Sequence, residues 1–145
     1  MNHKGKAALL GGVLAGGVAL ALLSPAAPAS AYDSDGVYLS IAVRSPATLV
    51  ARGAAVDVTV DITCNVQNPW VFVKLTERVG NRLVDGDGEL QVACTGSPQQ
   101  LTIRVMDRGD RPLALGTALA DASIGGCNDV SCGSESASET IRIIK

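Results

Sequence analysis

The chain has 145 residues, 47% of them hydrophobic and 3% aromatic, with twelve Lys and Arg against fourteen Asp and Glu. Such a length holds one compact domain once a leader is set aside. A mildly acidic surface binds polyanions poorly, so nucleic acid and anionic membranes are not expected as partners.

The N-terminus reads as an export signal. Lys4 and Lys6 give a positive start, residues 7–23 form an apolar run, and Ala29-Ser30-Ala31 ends a small-residue tail. A charged start, an apolar stretch and an A-x-A site predict a signal peptide over 1–31 with cleavage after Ala31. The run is short for a membrane span and is broken by glycines. No second apolar stretch follows, so the expectation is a secreted protein, exported by the general secretory route, whose domain is residues 32–145. Removing Lys4 and Lys6 leaves ten basic residues, of which Lys74 and Lys145 are the lysines, against fourteen acidic ones. The arginine bias, with abundant Ala, Gly and Val, fits a GC-rich, actinobacterial source.

Alternation then predicts strands along the chain. Val37, Leu39, Ile41 and Val43 give a first strand that Ser45-Pro46 stops, and residues 48–50 add a short edge piece. Residues 56–64 are apolar at every even position, so Val56, Val58, Val60, Ile62 and Cys64 line one buried face. After a turn over 65–69, residues 70–79 form a third strand with Val71, Val73 and Leu75 inward. Trp70 and Phe72 then point outward. Residues 80–88, with Asp85-Gly86-Asp87-Gly88, read as a turn. Residues 89–94 and 100–106 are further strands, the latter burying Leu101, Ile103 and Val105. Residues 107–112 form a charged turn. Residues 116–124 follow as a strand with the small Ala118, Ala120 and Ala122 on one face. Residues 125–136 read as a polar loop, and 138–145 as a closing strand with Ile141 and Ile143 inward. About seven short strands without helical periodicity predict an all-β, immunoglobulin-like sandwich, with a small Greek-key barrel as the alternative.

All four cysteines lie in the exported part, where an even number predicts two disulfides. The pairing expected is Cys64 with Cys94, both in phase with core residues, and Cys127 with Cys132 across a short loop. Loop-closure entropy assigns about 3.7 kcal/mol to the long bridge and about 2.2 kcal/mol to the short one.

The one histidine, His3, leaves with the signal. Without histidine or a free thiol, Ser-His-Asp and Cys-His catalysis have no residues to work with, and zinc lacks a mixed ligand set. Asp57 and Asp61 share a strand face but lie about 13 Å apart, too far for a glycosidase pair, so they read as a solvated face. Asp85, Asp87 and Glu89 offer a weak calcium hypothesis, without the ligand series of an EF-hand. Arg108-Gly109-Asp110 spells the tripeptide that integrins read, and is taken as a solvated turn. No cofactor, metal or catalytic residue is expected. Trp70 and Phe72, the only Trp and Phe, form an outward platform for a sugar or flat hydrophobe. A one-residue bulge would instead make Trp70 a core tryptophan.

Cys64 at a strand end, Pro69-Trp70 opening the next strand, and Val92-Ala93-Cys94-Thr95-Gly96 resemble a group of small exported actinobacterial proteins sharing a domain of unknown function. That resemblance implies an immunoglobulin-like fold and no known activity. Cys127-Asn128-Asp129-Val130-Ser131-Cys132 is similar to the late short disulfide of the neocarzinostatin group of enediyne-binding apoproteins. Their other disulfide spans a short hairpin, unlike Cys64 and Cys94, and no binding residues are carried over.

These observations predict a secreted, non-enzymatic binding or interaction module for a small molecule, glycan or protein. A small-molecule carrier of the neocarzinostatin type is the second reading, and it requires a concave pocket on one sheet's outer face. An extracellular protease inhibitor is the third, and it requires a rigid, exposed, disulfide-braced loop.

Overall fold

The computed structural model describes residues 29–32, 36–109 and 111–145. Most of the expected signal peptide, and Asp110 of the Arg-Gly-Asp tripeptide, lie outside the described residues. The described residues form β1 (Ala29–Tyr32), β2 (Tyr38–Val43), β3 (Ala47–Val50), β4 (Ala55–Cys64), β5 (Gln67–Val79), β6 (Arg82–Gln91), β7 (Gln99–Asp107), β8 (Gly116–Cys127) and β9 (Cys132–Ile144), with one 3-10 turn at Ala51–Gly53. β1 pairs antiparallel with β2, Ala29 opposite Ile41 and Tyr32 opposite Tyr38. Ala31, after which cleavage is expected, is the third residue of β1.

β4 is the axis of the ladder. Its alternation buries Val56, Val58, Val60, Ile62 and Cys64 to at most 1% exposure. One edge pairs with β7 from Ala55 opposite Met106 to Ile62 opposite Gln99. The other edge is shared: β3 takes Ala55–Asp57 and β2 takes Val60–Cys64. A cis Ser45–Pro46 peptide lies between β2 and β3. β3 also runs parallel to β9, Ala47 opposite Ile143. Long antiparallel ladders join β9 to β8, β8 to β5 and β5 to β6. β6 reaches β7 through Gly86–Asp107 and Asp87–Met106.

The sheet thus closes on itself in the order β4-β3-β9-β8-β5-β6-β7 and back to β4, with β2 and β1 attached beside β3. The all-β expectation holds, but the two-sheet sandwich is corrected to a barrel-like sheet, nearer the alternative: seven strands close the ring and β1 and β2 lie outside it. Two well-paired walls, β2-β4-β7 and β9-β8-β5-β6, are joined along short seams. Between them pack Leu39, Ile41, Val71, Val73, Leu75, Ile103, Val105, Ile124, Ile141 and Ile143. Ala118, Ala120 and Ala122 face inward from β8.

Three expected boundaries change. Asp85-Gly86-Asp87-Gly88 is not a turn but the middle of β6; the chain reverses at Gly80–Asn81 instead, where Gly80 takes φ 63°. The glycines serve a close crossing, since a Cβ on Gly86 would lie 2.8 Å from the Met106 carbonyl oxygen and one on Gly88 2.3 Å from that of Arg104. The strand expected over 89–94 is the tail of β6 and ends at Gln91. The loop expected over 125–136 is largely β8 and β9, leaving Asn128–Ser131 as a tight turn in which the Asn128 side-chain oxygen accepts the Val130 and Ser131 N–H groups at 2.9 and 2.7 Å.

Both expected disulfides form. Cys64 and Cys94 stand 5.4 Å apart at Cα and enclose 30 residues of sequence separation. Cys127 and Cys132 are directly opposite one another where β8 turns into β9, 3.9 Å apart. No helix among the described residues is long and apolar enough to cross a membrane.

Candidate functional site

β5 opens with an irregularity between Gln67 and Trp70, at Asn68, which takes φ 42°. The irregularity precedes Trp70, so the phase of the strand from Trp70 onward is that of plain alternation. Val71, Val73 and Leu75 are at most 1% exposed, while Trp70 and Phe72 are 43% and 47% exposed. Trp70 is therefore a surface tryptophan, not a core one.

The ladders place these rings in a grid on the outer face of the β6-β5-β8-β9 wall. Across the strands, Gln91, Trp70, Gly125 and Ser134 form one row, and Glu89, Phe72, Ser123 and Ser136 the next. Asp87, Lys74, Asp121 and Ser138 form a third, followed by Asp85, Thr76, Leu119 and Thr140. Side chains two apart along a strand share a face, so all sixteen positions point outward.

The Trp70 and Phe72 rings stack with centroids 6.3 Å apart and planes 27° from parallel. A third ring between them would need about 7 Å, twice a carbon contact distance. Any flat ligand must therefore lie against the free face of one ring. Phe72 borders a trough of about 410 Å³ that also touches Lys74, Asp87, Asp121, Ser123, Ser136 and Ser138. The trough runs across β5, β8 and β9 between the Phe72 row and the Lys74 row. From β6 to β9 the wall spans about 14 Å. The volume falls within the range of small-molecule sites, roughly 300–1,000 Å³.

Several polar groups in the trough and on the wall beside it are already oriented. Ser138 Oγ donates to Asp121 Oδ1 at 2.5 Å, and Thr76 Oγ1 donates to Asp85 Oδ1 at 2.8 Å. Arg108, from the segment after β7, forms an ion pair with Asp87. Hydrogen bonding to Asp87 is the largest influence raising the Arg108 pKa, followed by Coulomb attraction to Asp87, with desolvation opposing and Glu89 adding a minor attraction. Arg108 is thus held as a cation beside Asp87, which leaves the tripeptide's arginine engaged. No group of three His, Cys, Asp or Glu residues able to hold a metal occurs among the described residues. Asp85, Asp87 and Glu89, the calcium candidates, lie spread along one strand edge.

The opposite wall differs. Asp57 accepts two hydrogen bonds from Arg104, Nε to Oδ1 at 2.8 Å and Nη2 to Oδ2 at 2.9 Å. Asp61 pairs with Arg44 and accepts from Gln100 Nε2 at 3.1 Å. The two carboxylates read from the sequence as a solvated face are indeed on one, each matched to an arginine. Alternation marked Trp70 and Phe72, but Asp121, Ser123 and Ser136 escaped notice because only cross-strand register brings them beside Phe72.

No family model matches the chain, and no curated protein matches it. Among solved structures the chain is similar to AggA, the major subunit of aggregative adherence fimbriae type I from Escherichia coli. The identity is 10% and the TM-score 0.38, over 78% of this chain and 97% of that one. So slight a likeness carries neither fold nor function, which rest on the ladders and side chains of this chain itself.

Proposed function

We propose that this protein is an exported, non-enzymatic binding module whose ligand lies in the trough beside Phe72. The observation that carries this reading is the stacked, exposed Trp70–Phe72 pair next to a concavity floored by small and hydroxyl-bearing residues. An aromatic wall with a serine-rich floor suits a pyranose, which offers one apolar face and a rim of hydroxyls, better than a large hydrophobe. Two disulfides and no free cysteine among the described residues support an oxidising, extracellular setting. The expected removal of His3, the sequence's one histidine, with the signal peptide favours binding over catalysis.

The concavity on one sheet's outer face is also what a small-molecule carrier needs, so the carrier reading stands second. The likeness to the neocarzinostatin group enters it through the Cys127–Cys132 bridge alone. The inhibitor reading gains less, because Asn128–Ser131 is closed into a turn and offers a protease no extended segment.

Titration of Trp70 fluorescence with a panel of short oligosaccharides tests the proposal. A saturable change that Phe72→Ala abolishes, with the circular dichroism spectrum unchanged, is the expected result. Binding that survives in a Trp70→Ala/Phe72→Ala double variant, followed by calorimetry, would move the site elsewhere.

A further inference from the structure

The trough beside Phe72 carries balanced charge. Of its two carboxylates, Asp87 is already neutralised by Arg108. The other, Asp121, stands directly opposite Lys74 in the β5–β8 ladder, which sets their Cβ atoms about 4.5–5.5 Å apart. Both side chains line the trough. Among the described residues, no ion pair joins them or ties either to a third group. Asp121 is held instead by Ser138, whose Oγ donates to Oδ1 at 2.5 Å. That bond orients the carboxylate and leaves Oδ2 for a ligand. Lys74 Nζ carries three N–H donors and accepts nothing. One strong acceptor thus lies beside one strong donor, with no net charge between them. Phe72 precedes Lys74 by two residues on the same face, about 7 Å away and within reach of one sugar ring.

We infer that the trough takes a neutral saccharide and reads two adjacent hydroxyls of it through Lys74 and Asp121. One hydroxyl donates to Asp121 Oδ2, and its neighbour on the ring accepts from Lys74 Nζ. A hydroxyl is both donor and acceptor, so a vicinal pair satisfies both ions without adding charge. Hydrogen bonds to ionised groups are roughly twice as strong as neutral ones, which makes this pair the main source of selectivity. The ring's apolar face lies toward Phe72, and Ser123 and Ser136 meet the remaining hydroxyls. A uronic acid would gain Lys74 but set its carboxylate against Asp121. An amino sugar would do the reverse. This inference rests on the binding-module reading and deepens it by naming the ligand's charge and the two side chains that read it.

The test titrates the whole exported protein by calorimetry with neutral tetramers of glucose, mannose and galactose. The uronic-acid and 2-amino counterparts of each are run beside them, with diglycine as a zwitterion. At least one neutral tetramer binds about tenfold more tightly than both of its charged counterparts. Lys74→Met shifts the preference toward the amino sugar, and Asp121→Asn shifts it toward the uronic acid, each by about tenfold. Both positions are exposed, and an asparagine still accepts from Ser138, so these variants keep the fold. Charged counterparts that bind as tightly as the neutral tetramer would overturn the charge assignment while leaving the aromatic site intact. An unchanged preference in both variants would overturn the assignment to Lys74 and Asp121. Diglycine binding as tightly as the neutral tetramer would overturn the saccharide assignment. No binding of any probe would overturn both this inference and the site on which it rests.

Discussion

Glu77 shows where alternation and chemistry part company. It continues the inward series of Val71, Val73 and Leu75 and is 3% exposed, a carboxylate at the end of an apolar face. Its Oε2 accepts the Ala114 N–H at 2.9 Å, which ties the segment between β7 and β8 to β5. Glu77→Ala leaves that N–H without its acceptor and is expected to cost about 1–3 kcal/mol in chemical denaturation. Glu77→Gln keeps an acceptor and costs less. Asp57 sits on the outer face, where hydrogen bonding from Arg104 holds its pKa below the ordinary carboxylate value, with desolvation opposing and Coulomb attraction to Arg104 assisting. A depressed folded-state pKa gives stability that is present above the unfolded value, near 3.9, and is lost as pH falls through the folded one. Asp57→Asn therefore destabilises the protein at pH 7, and the difference from wild type vanishes at strongly acidic pH. Urea midpoints measured at both ends check this.

At the scale of the element, alternation is legible wherever one face is buried. It located β2, β4, the inner face of β5, β7 and the end of β9 from Val, Ile and Leu positions alone. It failed where the strand carries glycine or serine. The first part of β6, residues 82–88, reads as a turn because Gly86 and Gly88 carry the usual turn signature, yet their lack of a side chain serves the passage of β6 over the β7 backbone. The first half of β9 was mistaken for a loop because Ser134, Ser136 and Ser138 are outward hydroxyls with only Gly133, Glu135 and Ala137 between them. Gly88→Ala tests this account of β6: a methyl group 2.3 Å from the Arg104 carbonyl oxygen must displace backbone. The expected loss is about 1–3 kcal/mol, the cost of overpacking, read as a lowered thermal midpoint. An unchanged midpoint would mean that β6 and β7 do not approach so closely.

For the whole molecule, closure depends on joining two walls through short seams. The Cys64–Cys94 bridge links the end of β4, on one wall, to the segment leaving β6 on the other. The Cys127–Cys132 bridge lies within a hairpin that the β8–β9 ladder already holds. Replacing the first pair by alanine is therefore expected to cost more than replacing the second, about 3.7 against about 2.2 kcal/mol by loop closure, and calorimetric melting of the two variants ranks them. The closure itself was not legible, because no local pattern reveals that β6 reaches β7 or that β3 reaches β9. The site was half legible for the same reason: strand phase set Trp70 and Phe72 outward, but Asp121, Ser123 and Ser136 join Phe72 only through register across the β5–β8 and β8–β9 ladders. The proposed binding role depends on the outward placement of Trp70, the chain's single tryptophan. Acrylamide quenching of its fluorescence measures that placement directly. Red-shifted emission with efficient quenching in the native protein, reduced when ligand fills the trough, is the predicted result; blue-shifted emission that resists acrylamide until the protein unfolds would contradict it.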